Sequence, residues 1–575
     1  MFWFGFVSLN EEEKVQRRIL LNQNALIAQL SAIGAIVAIK TFLYLVWLAK
    51  RPAGVGKEDT PEPSSPHAKF QRSRSPWSVS SWRLLVRRLE WWLSGEFVIG
   101  WGTRGQWILA GWWTVWLLYL SIRETGNDYL HMTKRLGLVG ASQLPLHYLL
   151  VMKSRFSPLA LIFNRSHEEL NWIHQYLGRI LSAMFLAHAG LYLNFFVQAG
   201  VLEKRLQDDD VLSGLMAIAV ISVIGLSALG YVRMLSYRTF YWIHVILGGY
   251  LLLVLYSHVV HIQIYIIECA VISMLNVALR WTETSHLSGT VSVVGTTGLI
   301  RVEMALGPVS QGQGSSREWQ PGQHVYISSK SSRWFNLVPG YLSKNPFTIC
   351  NISSSDAGGG SIRQMTLIAR CQKGATKQLA EKSKLSPAPI PFRVEGPYGS
   401  SHRYLEPARL RQYSSVLIVA GGVGGTYAVP MWVSMIRRSE TPSRARFVWA
   451  VRSMEEAVCV FGDALTDSKG PDLYVTGERS GQAAVSEESG DYVELQEMET
   501  SLPGEAPSGG LRGVTMRRGR PSLGVVVSAS FSGASNTVCV IVCGPKGMVR
   551  DVRQEVSEWV DNGYAVDFHA EFYGL

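Results

Sequence analysis

A membrane α-helical bundle of about seven spans, followed by a cytosolic module pairing an antiparallel β-barrel with an α/β domain, is the architecture to expect from these 575 residues, on three grounds. Hydrophobic residues make up 47% of the chain and charged ones 17%, a balance typical of a membrane protein carrying a soluble part. Seven apolar segments approach the ~20 residues needed to cross a bilayer, all before residue 282. After it come short alternating strands with Gly/Ser turns, then, from about 411, strands alternating with helices.

The spans fall at about 26–48, 106–122, 135–151, 171–196, 211–231, 240–260 and 262–280. After the first, residues 50–90 hold nine Lys and Arg against four acids in a Pro/Ser-rich stretch, which places this linker in the cytosol. Counting onward, the loops near 152–170 and 232–239 are cytosolic, and VLEKRLQDDD at 201–210, with four acids and two bases, lies outside. The N-terminus is then outside, and everything beyond residue 282 is cytosolic. The opening MFWFGFVSLNEEEKVQRRI is too charged for a signal peptide, so the first span acts as the insertion signal. The sequon at Asn164 falls on the cytosolic side and is discounted. A net charge of +11 comes from these membrane-flanking bases, and no nucleic-acid partner is expected. The six cysteines, Cys269, Cys350, Cys371, Cys459, Cys539 and Cys543, form no CxxC pair, which argues against a zinc site or disulfide framework.

The fourth span reads HQYLGRILSAMFLAH at 174–188, beginning and ending in histidine. The sixth repeats the device, with His244 and His258 again fourteen residues apart. Fourteen residues make about 3.9 helical turns, so each pair of histidines shares a face and stands ~21 Å apart along its axis. Both helices run from cytosol to outside, which sets His174 level with His244 near the cytosolic surface and His188 level with His258 near the outer one. Two neutral imidazoles at one depth on facing helices suit bis-axial ligation of a haem iron, and the second pair suits a second haem. A lone intramembrane histidine is better read as an interhelical hydrogen-bonding group or a pore lining; two pairs with equal spacing favour the two haems. His261 reads as solvated, His147 as structural, and Lys40 as facing the bundle interior. Arg179 suits either a haem propionate or an inner-leaflet anchor.

A transmembrane one-electron path needs a donor, and cellular reductant arrives as hydride on a nicotinamide; a flavin converts one into the other. WQPGQHVYISS (319–329) and SKNPFTICNIS (343–353) are strand-like runs that suit a small barrel, which VEGPYGS (394–400) closes. LIARCQKGATKQLAE (367–381) passes from strand to helix, with Gly374 and Thr376 at the helix start, where backbone N–H groups can hold a pyrophosphate. SSVLIVAGGVGGTYAVPMWVSMI (414–436) is a β-branched strand, a turn of Gly421, Gly422, Gly424 and Gly425, and a helix, the way an α/β domain offers a helix start to a phosphate. Arg452 or Arg479 is placed to meet a 2′-phosphate. VCVIVCGPKGM (538–548) ends a strand in Cys543, Gly544 and Pro545 at the edge where open α/β sheets bind ligands. The polar segment 476–520, acidic then basic, reads as a disordered insertion.

Together these motifs resemble the fungal ferric-chelate reductases, in the superfamily that includes the NADPH oxidases. The match rests on HQYLGRILSAMFLAH with its equally spaced partner, RLG at 135–137, NPFTI at 345–349, VEGPYG, the GGVGG turn and CGPKGM, and spans about 100–575. It implies four parts: an N-terminal span and basic linker (1–105), a haem-binding transmembrane domain (106–282), an FAD-binding barrel (283–405) and an NADPH-binding α/β domain (411–575), the last two forming a ferredoxin-reductase-like module. Asn345, Pro346, Phe347 and Thr348 would line the flavin, Gly374 and Thr376 its pyrophosphate, and Gly421 to Thr426 the NADPH. The implied activity passes electrons from cytosolic NADPH through FAD and two b-type haems to a ferric or cupric chelate or siderophore outside a multi-pass, plasma-membrane protein. A superoxide-producing oxidase and a non-enzymatic sensor on a decayed scaffold are the alternatives. Where Asn345 stands, relatives commonly carry His; where Gly425 stands, a bulky apolar residue; and the chain ends EFYGL rather than in Trp, which touches any flavin stacking by Phe572 or Tyr573.

Overall fold

The computed structural model describes residues 4–7, 9–50, 79–98, 100–308, 319–329, 345–357, 360–372, 374–385, 388–437, 444–461, 470–477, 514–534 and 537–572. Arg479, Tyr573 and most of the expected insertion lie outside the described residues. The chain divides into two compact units, one built mainly from Met1–Ser285 and the other mainly from His286–Leu575.

The first unit is helical: α1 (Glu11–Lys50), α2 (Val79–Leu93), α3 (Arg104–Ile122), α4 (Tyr129–Ser142), α5 (Leu144–Leu149), α6 (Pro158–Phe163), α7 (His167–Gln198), α8 (Leu202–Arg205), α9 (Asp209–Ser227), α10 (Gly230–Leu235), α11 (Tyr237–His258) and α12 (Gln263–Thr282). Among the described residues five stretches, Glu11–Val46, His167–Gln198, Asp209–Ser227, Tyr237–His258 and Val260–Thr282, are long and apolar enough to cross a membrane. Their apolar side chains face outward as well as inward: Leu253 is 70% and Met274 65% exposed, which suits lipid and not water. The expected third span differs. It is broken at Gln143 into α4 and α5, with Pro145 in the first turn of α5, because proline lacks the N–H that would continue the helix. Most of α4 is buried, and it packs on α1 through Leu138 and Ala141 against Leu21 and Ala25; small residues let the backbones approach.

Caps position these helices. The Thr103 hydroxyl accepts from the Gln106 N–H at 3.3 Å while the Gln106 side chain accepts from the Thr103 N–H at 2.9 Å, a reciprocal capping box. Asp128 caps α4 by accepting from the His131 N–H at 3.0 Å, and Ser236 caps α11 by accepting from the Thr239 N–H at 3.2 Å. Lys40, expected to face the bundle interior, is exposed on α1; its long stem lets the ammonium reach out of the apolar layer.

The second unit begins with β1 (Thr284–Val294), β2 (Leu299–Pro308), β3 (His324–Ser329), β4 (Asn345–Ala357), β5 (Gly360–Arg370), α13 (Ala375–Leu385) and β6 (Ile390–Tyr398). These strands close a barrel in the order β1-β2-β5-β4-β3-β6, filled by Ile300, Val302, Phe347, Leu367 and Phe392. After α14 (Pro407–Leu410) come β7 (Tyr413–Gly421), α15 (Gly425–Ile436), β8 (Arg444–Val451), α16 (Met454–Phe461), β9 (Asp472–Val475), β10 (Thr515–Arg518), α17 (Leu523–Phe531), β11 (Thr537–Gly544), α18 (Lys546–Asp561) and β12 (Val566–Phe572). The sheet runs β10-β9-β8-β7-β11-β12 with every pairing parallel. Strand order reverses between β7 and β11, the place where open α/β sheets bind their ligands.

Candidate functional site

Helix α7 carries His174 and His188, and α11 carries His244 and His258. The rings of His174 and His244 lie 6.0 Å apart between centroids with their planes at 72°. The Nδ1 atoms are fixed by backbone. That of His188 is 2.8 Å from the Thr133 carbonyl and that of His258 2.6 Å from the Asp210 carbonyl. A carbonyl only accepts, so each Nδ1 carries the proton and leaves Nε2 with a free lone pair. His174 points Nδ1 at the His147 carbonyl across a longer 3.3 Å, and the buried Nδ1 of His244 has no hydrogen-bond partner among the described residues.

Glycines make the room. A Cβ at Gly137 would stand 2.6 Å from the His188 ring, and one at Gly214 would stand 2.7 Å from the ring of His258. Gly137 is four residues after Thr133 and Gly214 four after Asp210, so one helical device occurs twice: a carbonyl at i takes the imidazole N–H, and a glycine at i+4 leaves space for the ring. Neither glycine was singled out from sequence for this purpose, although Gly137 sits in the RLG motif. His147, read there as structural, stacks on His174 at 4.0 Å and 14°. His261 is exposed in a turn between α11 and α12, and the exposed Arg179 lies 5.3 Å from the Tyr176 ring. Among the described residues no three His, Cys, Asp or Glu side chains gather into a direct metal site.

In the second unit the two glycine-bearing turns meet at the switch point. Ala420 pairs with Cys543 across β7 and β11, and a Cβ on Gly424 would strike the Cys543 carbonyl at 2.2 Å. A Cβ on Gly544 would stand 2.3 Å from Met548, and one on Gly421 would stand 3.1 Å from Pro545. At Gly425 the obstacle is the Trp449 indole, 2.2 Å from an added Cβ. That indole donates to the Gly422 carbonyl at 3.0 Å, so this chain fills with Trp449 the space a larger residue at 425 would need. The Thr426 hydroxyl donates to the Val423 carbonyl at 2.8 Å, which leaves the backbone N–H groups at the start of α15 as the donors there that could face an anion. Arg452 is exposed just past β8, at the same edge. A cavity of about 360 Å³ lined by Ser415, Arg444, Arg446, Phe447 and Asp472 lies at the opposite ends of the strands, away from that edge.

On the barrel, one expectation needs correcting. Phe347 is 4% exposed and belongs to the barrel core, so its ring does not line a flavin; alternation leaves Pro346 and Thr348 on the other face. Asn345 and Pro346 are exposed. Gly374 has φ +95° ahead of α13, and Thr376 holds the Gln372 N–H at 2.9 Å. An ion pair absent from the sequence reading, Arg370 to Glu456 at 2.8 Å, ties the end of β5 to α16. None of the six cysteines is in a disulfide. Burial pushes the Cys350 thiol up to about 12 and raises Cys459, so neither is a thiolate at neutral pH.

Paired histidines on membrane-length helices, joined in one chain to a closed barrel and an open parallel sheet with a glycine turn at its switch point, define a multi-pass membrane oxidoreductase. Comparison narrows this. Residues 136–256 match the ferric reductase like transmembrane component, 300–402 an FAD-binding domain and 413–557 the ferric reductase NAD binding domain. The chain belongs to the ferric reductase family. It is 24% identical over 450 residues to a probable metalloreductase AIM14 of Meyerozyma guilliermondii, covering 76% of this chain and 84% of that one. It is 22% identical over 470 residues to ferric reductase transmembrane component 3 of Saccharomyces cerevisiae, covering 77% and 61%. Ferric reductase transmembrane component 1 of Schizosaccharomyces pombe is 22% identical over 378 residues, covering 57% and 62%.

Proposed function

We propose that this chain is a transmembrane, NADPH-dependent reductase of ferric or cupric chelates that works through FAD and two haems. The observation that carries the reading is the pairing of His174 with His244 on two membrane-length helices, in the same chain as a flavin barrel and a nicotinamide sheet. Centroids 6.0 Å apart suit one iron between two imidazoles, allowing about 2 Å for each metal–nitrogen bond. The donor set also fits: neutral imidazoles with Nδ1 turned to carbonyls at His174, His188 and His258. When bound, these groups would supply hydride acceptance by the flavin and single-electron carriage by haem iron.

The residues have separate tasks. His174 and His244 would hold one haem, His188 and His258 the other. Gly421, Gly422, Gly424 and Gly425 let backbone approach a dinucleotide phosphate at the start of α15, Gly544 and Pro545 shape the facing wall, and Arg452 would meet a 2′-phosphate. Pro346 and Thr348 would border the flavin, and Gly374 with Thr376 its pyrophosphate. Loop charge supports placing the second unit in the cytosol and the His188/His258 pair at the outer surface, with the acceptor a metal chelate or siderophore outside the plasma membrane.

The test is an optical spectrum of purified protein before and after NADPH, with and without a ferric chelate. Reduced haem bands that reoxidise on adding chelate are expected. No haem bands would defeat the reading, and superoxide made in preference to ferrous product would replace it with the oxidase.

A further inference from the structure

We propose that the short helix α5 is the positioning element of the His174/His244 pair, with His147 setting the ring plane and tautomer of His174. This rests on the haem reading above. Three contacts converge on α5. The His147 ring lies on the His174 ring at 4.0 Å and 14°. The His147 carbonyl faces the Nδ1 of His174 at 3.3 Å. Next to it, the Tyr148 hydroxyl donates to the Gly248 carbonyl at 2.6 Å, one turn beyond His244 on α11.

The carbonyl is available because α5 ends tightly. The Leu150 N–H bonds the Leu146 carbonyl at 3.0 Å and the Val151 N–H the Tyr148 carbonyl at 3.3 Å, which passes over His147. The ring has room because α7 carries glycine one turn past His174. A Cβ at Gly178 would stand 3.0 Å from the His147 ring. The two rings lie face to face, so His147 stands beside His174 and not across from it; it holds His174 in place and is not a second ligand to the metal that His174 and His244 would share. Among the described residues His244 has no partner at Nδ1; its ring packs on Phe240 at 5.3 Å, and the 72° between the two ligand planes depends on that contact, on the His147 stack and on the Tyr148 tie.

The angle between two axial imidazole planes governs the low-spin ferric electron paramagnetic resonance signal, so the proposal has a readout apart from turnover. Full-length protein carrying His147→Leu is compared with His147→Phe, which keeps a flat ring, and with Gly178→Ala, which pushes on His147 from α7. Haem content, resonance spectra and midpoint potentials are measured for each. In His147→Leu and Gly178→Ala, one of the two haem signals should shift, together with one of the two potentials, while haem content stays at the wild-type level and His147→Phe stays near wild type. If both signals and both potentials are unchanged in His147→Leu, or in Gly178→Ala should His147→Leu not fold, the proposal is wrong and the haem reading stands. Wild-type protein without haem would instead overturn the haem reading, and this inference with it.

Discussion

His188 and His258 are anchored alike, whereas His174 and His244 are not. Each member of the first set gives its Nδ1 proton to a carbonyl of a neighbouring helix and rests over a glycine four residues on. Those anchors belong to α4 and α9, and the i, i+4 geometry of a helix keeps carbonyl and gap in fixed relation. In the other set, one histidine leans on the end of a six-residue helix and the other has no anchor at Nδ1 among the described residues. Such hydrogen bonds raise ligand basicity and fix ring orientation. The difference therefore teaches that two sites with the same ligands and spacing can be tuned separately, by what stands behind each imidazole.

Removing a ligand should break the comparison outright. His188→Ala is expected to lose one haem of two, read as halved reduced-band absorbance, and to abolish transfer to an external ferric chelate; retention of both haems would remove His188 from the ligand set. Smaller and more selective, Gly137→Ala or Gly214→Ala should weaken haem retention at the His188/His258 pair about 10–100-fold and leave the other pair's spectrum alone. Haem titration of the depleted protein checks this, and equal loss at both pairs would erase the distinction. As a control in the other unit, Gly425→Ala meets Trp449 and should cost the α/β domain about 1 kcal/mol or more from overpacking, measured as a lower unfolding midpoint with both haem signals unchanged. The least effect is expected from Arg179→Ala, which removes an exposed contact with Tyr176 worth about 0.5 kcal/mol; a displaced haem spectrum would instead give Arg179 a propionate-binding role.

Much of the candidate site was legible because it is periodic. The fourteen-residue spacing needs only the helical repeat, and the β7–turn–α15 unit needs only a β-branched run ending in glycines. Even the correction at Phe347 was within reach: Phe347 and Ile349 alternate with Thr348, and a period of two sends both apolar side chains to the barrel core. Pro145 announced the break between α4 and α5, but in a window long enough for a span the hydrophobic content outweighed it. The roles of His147, Gly137, Gly214 and Gly178 were not legible, because a spare carbonyl and a ring-sized gap exist only between two helices.

By itself the sequence determined which segments suit lipid, which histidines share a face, and where strands end in glycine, since each follows from chemistry repeated along one element. Only the tertiary structure decided which carbonyl holds which imidazole, that Trp449 and not residue 425 fills the space beside the glycine turn, and that the two histidine pairs differ. These are contacts between residues far apart in the chain, fixed by close packing of whole elements, and no local pattern encodes them.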